Sequence, residues 1–577
     1  MKTESLRKYQ PFTPTITLND RTWPDKVITS PPMWCSVCGR DGNQALPIPM
    51  DILRKLRLFE TVVRCGFKEI EVGFPAASNT EFNFVRKLIE EHRIPDDVTI
   101  QVLVQAKEDL IVRTLESLKG ARRAIIHLYN STSPAQRRIV FGLEKHGIID
   151  IATTGVKWIR KHEDILCGTG LVLEYSPESF SATETDFALN ICQQVMDVWK
   201  PTPQNKIILN LPDTVEVALP TVYADQIEWF IRNLRHRDCA VISVHTHNDR
   251  GTAVAKTELA LLAGAERVEG TLFGNGERTG NADIVTLALN MYTQGLDPKL
   301  DFHNLATIAE TYQQCTGMPI HPRHPYVGEF VCTAFSGSHQ DAIKKGLRDW
   351  EIGERKVWEV PYLPFDPTDL GREYQTSIRV NGQSGRGGVA YLLEQASVKP
   401  PKELSTEFSA LIKEHTDTTS CEMTSEQLKA MFLSAYEYSG PHNQFPHQFI
   451  AFKSTVVGPE TTCEVSFGET YQCSVIPRKF TGKGNGPIAA LVDAFKDYMS
   501  FKVLHYSAHS LGPGASAQAI AYVKIRNRLS DEAWGVAIDT DLERAAIKAT
   551  FCAFNRAGEY TTIETVTLSK RNRVVER

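Results

Sequence analysis

The sequence lacks any apolar run that approaches the roughly 20 residues needed to cross a bilayer. Its start, MKTESLRKYQPF, has no apolar core of a secretory signal, although three basic residues against one acidic residue leave a short organelle presequence open. We therefore expect no membrane partner and no secretion. A cytoplasmic or mitochondrial protein is the interpretation that these absences favour.

Two further features are missing, a dense cysteine framework and an excess of positive charge. The twelve cysteines are scattered over 577 residues, which indicates a reducing compartment rather than a disulfide-stabilised secreted protein. The net charge of −5 gives no reason to expect nucleic acid as a partner. At roughly 100–200 residues per domain, a chain of this length predicts two to four domains.

Short apolar segments alternate with amphipathic helical segments from about residue 30 to 285. The eight predicted strands are Met33–Val37, Glu69–Phe74, Thr99–Gln105, Ala124–Tyr129, Leu171–Tyr175, Lys206–Leu211, Ala240–Val244 and Arg267–Phe273. Eight β/α units in about 250 residues predict an α/β fold of the (β/α)8 TIM-barrel type. A doubly wound open sheet is the alternative, but no Gly-rich phosphate loop follows the first strand.

The remaining chain divides by its pattern into further regions. We expect an N-terminal arm over residues 1–29, the catalytic barrel over 30–330, linker subdomains over 331–430 and a C-terminal α+β regulatory domain over 431–577. In that last region two blocks of strands followed by a helix succeed one another, which hints at an internal duplication. Such a module without an obvious catalytic cluster suits the binding of a small regulator or a partner subunit.

Polar and ionisable residues follow most of the predicted strands, where a barrel places its active site. His245 and His247 are two residues apart on an extended segment, so their rings point the same way. With Asp41 after the first strand they make a mixed nitrogen and oxygen set that suits Mg, Mn or Zn. The alternative is a surface histidine pair.

Arg40 stands next to Asp41, and its fixed positive charge is expected to stabilise an enolate or alkoxide that forms in the reaction. The alternative is an ion pair with Glu71, and the two roles are compatible.

These residues also carry a family resemblance. The segments that carry it are RDGNQ (40–44) followed by Lys55, EVGFPAAS (71–78), YSPES (175–179), HTHNDRGTAVA (245–255), LFGNGERTGN (272–281), FSGSHQDAIKKG (335–346), VPYLPFDP (360–367) and GNGPIAALVDA (484–494). In this order they resemble the 2-isopropylmalate and homocitrate synthase family, in its longer fungal and bacterial form. The resemblance runs from about residue 8 to the C-terminus.

The resemblance implies a Claisen-type condensation in which acetyl-CoA adds to the ketone of a 2-oxo acid and the thioester is hydrolysed. For 2-oxoisovalerate this is the first committed step of leucine biosynthesis. The family's metal ligands fall on Asp41, His245 and His247, with Asn281 beside them. Arg40 is expected to stabilise the developing oxyanion. A divalent metal, acetyl-CoA as co-substrate and activation by a monovalent cation are the cofactors implied.

The resemblance also assigns the substrate pocket. Thr214 is expected to hold the carboxylate of the 2-oxo acid, and Leu103, His127 and Ser176 are expected to surround its side chain. Glu178 is expected near the reacting carbons as a candidate base.

Two more catalytic positions, His339 and Tyr362, lie beyond the barrel in sequence, and in the family they reach the partner subunit's site. A domain-swapped homodimer is therefore implied, with leucine as a feedback effector of the C-terminal domain. Without the resemblance, a helix-capping role in a Ser-rich turn is the favoured interpretation of His339.

The sequence departs from the family's usual pattern at several positions. Cys38-Gly39 replaces Asp-Leu before the Arg-Asp pair, and Gly39 is expected to loosen the end of the first strand. Cys35 is expected to be buried, and Cys38 to replace a polar residue behind the site. Asp213 replaces Ala beside Thr214, where its charge is expected to repel the substrate carboxylate or to serve another side chain.

These departures leave more than one function open. The first hypothesis is a 2-isopropylmalate synthase, and the second is a paralogue that uses the same chemistry on another 2-oxo acid in a secondary-metabolite pathway. A catalytically weakened regulatory homologue is a third, and the intact Asp41, His245, His247 and Arg40 argue against it. A lyase on the same barrel is a further alternative, which the acetyl-CoA resemblance and the C-terminal module disfavour.

Overall fold

A computed structural model describes residues 8, 11–353, 356–372, 386–419, 423–438, 447–471, 474–498, 500–512, 514 and 516–558. These residues form two compact units. Unit 1 comprises Met1–Cys332 with Phe365–Arg372, and unit 2 comprises Thr333–Pro364 with Glu373–Arg577. Among the described residues, none of the helices combines the length and the apolar character that a membrane span requires.

Unit 1 contains a closed barrel of eight parallel strands in sequential order, which confirms the predicted fold class. The strands are β1 (Met33–Ser36), β2 (Glu69–Gly73), β3 (Thr99–Gln105), β4 (Arg123–Ser131), β5 (Gly170–Glu178), β6 (Ile207–Asp213), β7 (Ala240–Thr246) and β8 (Arg267–Gly270). Burial is nearly continuous along them, as expected where helices cover the outside and side chains fill the inside.

Each strand is followed by a helix that packs its apolar face on the barrel. The helices are α1 (Ile52–Arg64), α2 (Asn79–Glu90), α3 (Glu108–Leu118), α4 (Lys145–Lys161), α5 (Thr185–Trp199), α6 (Pro220–Asn233), α7 (Ala253–Leu262) and α8 (Ile284–Tyr292), and α9 (Leu305–Thr316) follows them. Several begin with a side-chain cap, for example Asp51 on Arg54 N and Ser78 on Glu81 N.

The predicted strand ends differ from the observed ones. β4 continues to Ser131 and β5 to Glu178, whereas the eighth strand ends at Gly270 rather than Phe273. Tyr129, Ser176 and Glu178 at the ends of these strands line a shared cavity and still keep their backbone pairing, so side-chain polarity marks the strand end too early. His127 consequently lies in the middle of β4 and not near its end.

The N-terminal segment of unit 1 is held against α6. Arg21 Nε and Nη2 donate to Asp225 at 2.7 and 2.6 Å, and the indole of Trp23 donates to the same carboxylate at 2.9 Å. Because Trp23 is buried, residues 21–23 pack on the outer surface of the barrel.

Unit 2 begins with helices and ends with two small sheets. The helices are α10 (Gly337–Glu351), α11 (Arg386–Gln395), α12 (Lys402–Thr419) and α13 (Ser425–Tyr436). One antiparallel sheet contains β9 (His447–Val457), β10 (Glu460–Tyr471) and β11 (Ser474–Gly484), followed by α14 (Pro487–Phe495). The other contains β12 (Phe501–Ser510), β13 (Ala519–Asn527) and β14 (Glu532–Asp539), followed by α15 (Leu542–Arg556).

The two sheet-and-helix blocks repeat one packing detail. A Cβ at Gly482 in β11 would lie 2.3 Å from Ala490 O in α14, and a Cβ at Gly535 in β14 would lie 2.2 Å from Ala549 O in α15. In both blocks a glycine on the third strand lets the following helix approach the sheet closely. This matches the duplication that the sequence pattern suggests.

Candidate active site

Arg40 and Asp41 lie in a π-helical turn, Cys38–Gly42, directly after β1. The turn packs on β2, and a Cβ at Gly39 would lie 3.0 Å from Glu71 O and 3.2 Å from Val72 O. Gly39 therefore allows close contact between the turn and β2. This role differs from the expected loosening of the strand end.

Cys35 and Cys38, the two cysteines near this turn, lie in different environments. Cys35 is fully buried, and its thiol lies 3.8 Å from Gln101 Oε1 inside the barrel. The backbone N–H of Leu272 donates to Cys38 Sγ at 3.1 Å, and burial raises the pKa of the Cys38 thiol. Cys38 thus acts as an acceptor that ties the β1 turn to the segment after β8.

Asp41, His245 and His247 meet at the mouth of the barrel, and one ligand atom of each lies within 4.8 Å of the others. Asp41 Oδ2 is 3.3 Å from His245 Nε2 and 3.5 Å from His247 Nε2, and the two imidazole nitrogens are 3.2 Å apart. All three side chains are buried. One carboxylate oxygen and two imidazole nitrogens facing one point are a donor set for a divalent transition metal or Mg.

Asn281 lies beside this group because the segment after β8 pairs with the end of β7, through a bridge between His247 and Asn281. Asn281 Nδ2 donates to Asp41 Oδ2 at 2.7 Å and lies 3.0 Å from His245 Nε2. Its Oδ1 is buried without a hydrogen-bond partner. Rotating the amide exchanges nitrogen and oxygen, so the same side chain offers a fourth oxygen donor to a cation. The residues present therefore fit a bound metal.

The ring of His245 is oriented from behind. Its Nδ1 lies 2.8 Å from Glu269 Oε2, an arrangement that leaves Nε2 free to ligate. Burial raises the pKa of Glu269, but the Arg267 charge, the hydrogen bond to His245 and the charges of the nearby histidines together hold that pKa well below its usual range. Burial lowers the pKa of His245, yet hydrogen bonds to Asp41 and Glu269 raise it to about 9 without a metal.

Arg40 bridges two carboxylates at the cavity wall. Its Nε donates to Glu71 Oε2 at 2.5 Å and its Nη1 donates to Asp41 Oδ1 at 2.7 Å. Burial raises the pKa of Asp41, but the Arg40 charge and the hydrogen bonds to His245 and His247 together outweigh it and hold that pKa well below its ordinary value. Both roles suggested for Arg40, an ion pair and a fixed charge beside the metal ligands, are compatible with this geometry.

A cavity of about 260 Å³ opens beside the ligand group. Nine of the predicted site residues line this cavity, namely Arg40, Asp41, Leu103, His127, Ser176, Glu178, Thr214, His245 and His247. His127 Nε2 lies 2.7 Å from Ser176 Oγ, and its Nδ1 lies 2.8 Å from Glu71 Oε1, so the ring is fixed from both sides.

Two of the pocket residues have contacts that bear on chemistry. Thr214 Oγ1 accepts a hydrogen bond from the backbone N–H of Ser179 at 2.8 Å, which leaves its own hydrogen to donate to a ligand. The hydroxyl of Ser131 donates to the Glu178 carboxylate. Glu178 therefore faces the cavity with one oxygen engaged.

Asp213 does not line the cavity, although both of its neighbours do. It is fully buried, and its Oδ2 accepts from Lys256 Nζ at 2.5 Å. The side chain serves another residue, which was one of the two outcomes expected for it, and its charge is compensated rather than presented to a substrate. Burial raises the pKa of the Asp213 carboxyl, and the Lys256 ammonium opposes that shift.

His339 and Tyr362 belong to unit 2, and their rings stack with centroids 3.9 Å apart. Tyr362 is 60% exposed. Its backbone lies in the left-handed region with φ of 63°, which a bulky residue rarely adopts. The two side chains form one exposed aromatic pair.

Sequence reasoning missed part of the site. The additional cavity residues are Gln44, Tyr129, Asn210, Pro212, Glu277 and Arg278. Asn210 and Pro212 alternate with outward residues along β6, so period-two alternation was a signal for them. Arg278 donates to Thr214 O at 2.5 Å and lies 2.8 Å from His247 Nδ1, and its segment had been singled out only for Asn281.

Three family descriptions match successive parts of the chain. Residues 31–311 match the HMGL-like family, residues 329–394 match the alpha-isopropylmalate synthase post-catalytic domain-like family, and residues 422–558 match the LeuA allosteric (dimerisation) domain.

Individual relatives match over almost the whole chain. A 2-isopropylmalate synthase of Parafrankia sp. is 52% identical over 96% of this chain and 97% of its own. One of Pseudomonas entomophila is 51% identical over 96% and 98%. One of Rhodospirillum rubrum is 51% identical over 97% and 100%. Among solved structures, a hydroxymethylglutaryl-CoA lyase of Pseudomonas aeruginosa is 17% identical, with a TM-score of 0.42 over 50% of this chain and 95% of its own.

The donor set leads to a binding test. We expect His245→Ala to lose high-affinity Mn²⁺ or Zn²⁺ binding in calorimetric titration of metal-stripped protein, because two protein ligands and an amide remain. Glu269→Gln should weaken binding by about 10–100-fold, since the ring of His245 loses its charged acceptor. The control is His162→Ala, which removes a surface partner of Glu108 at 2.8 Å and should bind as the wild type. Unchanged affinity in His245→Ala would contradict the metal site.

Proposed function

The chain belongs to the 2-isopropylmalate synthase family, an acyltransferase family, and we propose that its barrel condenses acetyl-CoA with 2-oxoisovalerate to give 2-isopropylmalate and free CoA. The observation that supports this most directly is the group of Asp41, His245 and His247 on the wall of a small polar cavity. This family is divalent-metal dependent, and these residues with Asn281 would hold the cation. When bound, the cation supplies polarisation of the ketone carbonyl.

The chain's own residues would perform the remaining tasks. The Thr214 hydroxyl donates to the carboxylate of the 2-oxo acid, and Leu103, His127 and Ser176 surround its side chain. The Arg40 guanidinium would stabilise the negative charge that develops on the former ketone oxygen. Because Arg40 is already held by Glu71 and Asp41, it needs no reorganisation during the reaction.

Proton transfer is assigned to Glu178 as the candidate base. It would take a proton from the methyl group of acetyl-CoA, whose carbon then bonds to the ketone carbon while the ketone oxygen gains a proton. Water cleaves the thioester, so that the products are the dicarboxylic acid and CoA. The balance is acetyl-CoA, 2-oxo acid and water on one side, and 2-isopropylmalate and CoA on the other.

The alternative, a paralogue acting on a different 2-oxo acid, rests on Cys38-Gly39, on Asp213 and on Tyr326-Val327-Gly328-Glu329, which replaces the family's usual Tyr-Gly-Gly-Asp. In the described cavity Asp213 does not face the ligand, and its charge is neutralised by Lys256. None of these positions is among the residues that line the cavity, so the leucine-pathway substrate is preferred.

The direct test measures free CoA released from acetyl-CoA with a panel of 2-oxo acids. We expect 2-oxoisovalerate to give the highest kcat/KM, and a chelator to abolish release in a manner that added divalent metal reverses. No release with any 2-oxo acid would refute the proposed reaction. A preference for an aromatic or much bulkier acid would refute the assigned substrate.

The LeuA dimerisation domain supports an oligomer, and we propose a homodimer in which His339 and Tyr362 of one subunit complete the site of the other. The exposed aromatic pair suits this role, since a stacked His and Tyr present a general acid and a hydroxyl to a partner surface. Exposed Ile139, Val140 and Leu143 on the segment after β4 add an apolar surface at the barrel end where the strands terminate.

Subunit mixing tests this arrangement. We expect His245→Ala and His339→Ala to be inactive alone, and their co-expressed mixture to regain activity. Half of randomly formed dimers are mixed and each holds one intact site of two, so about a quarter of wild-type activity should return. If mixing restores nothing, His339 acts within its own subunit or outside catalysis.

We further propose that leucine binds unit 2 as a feedback effector. A cavity of about 930 Å³ lies where the first residues of α14 and α15 meet, lined by Gly486, Ile488, Ala489, Asp541 and Ala546 among others. Backbone N–H groups at helix starts suit a carboxylate, and the apolar wall suits an isobutyl group.

The effector test uses the same CoA assay. We expect leucine to lower CoA release, and Ala489→Leu to raise the leucine concentration required while leaving uninhibited activity unchanged, because the added side chain fills the cavity. Val457→Leu, at a 72% exposed position of the same unit, is the matched control. Equal inhibition of both variants would place the effector elsewhere.

A further inference from the structure

Lys256 is a buried lysine of α7 that faces the loop between β6 and α6. Its side chain is 1% exposed, and its Nζ donates to Asp213 Oδ2 at 2.5 Å and to Ala218 O at 3.3 Å. Glu216 Oε1 lies 3.3 Å from the same ammonium. One cation therefore compensates two carboxylates, one on the last residue of β6 and one on the loop that follows it, whose Thr214 faces the cavity.

Glu216 connects this loop to the next one. Its carboxylate accepts from the backbone N–H of Arg250 and from the hydroxyl of Thr252, and its own N–H donates to Asp249 Oδ2 at 3.1 Å. The loop after β6 and the loop after β7, which follows His247, are thus fastened together by a buried charged group.

The third loop, after β8, joins through Arg278. Its Nε donates to Asp249 Oδ1 at 2.7 Å and its Nη2 donates to Thr214 O at 2.5 Å. A continuous series of ion pairs and hydrogen bonds therefore runs from Lys256 through Glu216, Asp249 and Arg278 to the backbone carbonyl of Thr214.

We propose that Lys256 is a positioning residue for the 2-oxo acid site, which holds the Thr214 loop in place and neutralises Asp213 so that the substrate carboxylate can approach Thr214. No part of this role requires Lys256 to touch the substrate.

The physical reason is the cost of an uncompensated buried carboxylate. Asp213 is one peptide bond from Thr214, on the last residue of β6. Without the ammonium, Asp213 either remains charged and repels the incoming carboxylate, or it escapes that cost by taking up a proton or turning toward water, which changes its contacts and displaces Thr214. Both outcomes affect binding of the 2-oxo acid more than binding of acetyl-CoA.

The kinetic test uses the full-length protein and the CoA assay. We expect Lys256→Met to raise KM for 2-oxoisovalerate by about tenfold or more while kcat and KM for acetyl-CoA change by less than about twofold. Adding Asp213→Asn to Lys256→Met should bring KM back to within about threefold of wild type, because no buried charge then remains at residue 213. Lys161→Met, which removes a surface ion pair with Glu108 at 2.7 Å, is the control and should match wild type.

Several outcomes would overturn the proposal. One is an unchanged KM for the 2-oxo acid in Lys256→Met. Another is a fall in kcat together with an equal rise in both KM values. The third is a double variant whose KM for the 2-oxo acid is no lower than that of Lys256→Met. If Lys256→Met does not fold, the double variant and Asp213→Asn alone carry the test, and a raised KM for the 2-oxo acid in the double variant overturns it.

The kinetic part rests on the proposed function, so a second measurement separates the two. Thermal unfolding of the same variants needs no turnover, and the midpoint lowered by Lys256→Met should recover in the double variant. If wild-type protein releases no CoA while the unfolding series shows this recovery, the proposed function fails and the coupling of the pair stands. If the wild type is active and the midpoint does not recover, the inference about Lys256 fails alone.

Discussion

The compensation of buried charge inside the barrel is the constraint on which the candidate site depends. Arg267 is fully buried and donates to Glu69 and Glu269, with a third bond to Gln101. Because its charge keeps Glu269 ionised, Glu269 can orient His245. The strands therefore do more than form a scaffold, since the interior of the barrel sets the ionisation of the groups at its mouth.

The sequence predicted the features that depend on short segments. Strand alternation with helices predicted the barrel, and the spacing of His245 and His247 predicted rings on one side of a strand. The position of Asp41 beside these rings could be predicted only because the carboxyl ends of all barrel strands lie at one face. The ends of β4 and β5 were misplaced because polar residues there continue the sheet pairing.

Contacts between residues distant in sequence could not be predicted in this way. Lys256 lies in a helix, where a lysine ordinarily faces solvent, and its pairing with Asp213 depends on how α7 packs over the loop after β6. The positions of His339 and Tyr362 next to one another likewise depend on the tertiary structure of unit 2. Composition and periodicity carry no information about such pairs.

The pair of Asp213 and Lys256 also bears on how this chain diverged from its relatives. A change at either position alone would leave one charge buried without its partner, which is among the most destabilising single substitutions. Lineages are therefore expected to hold both charges or neither, and to pass between the two states through a short-lived intermediate or a neutral third residue. The two positions would then change together in evolution. The metal ligands would be the same in lineages with the charged pair and in lineages without it.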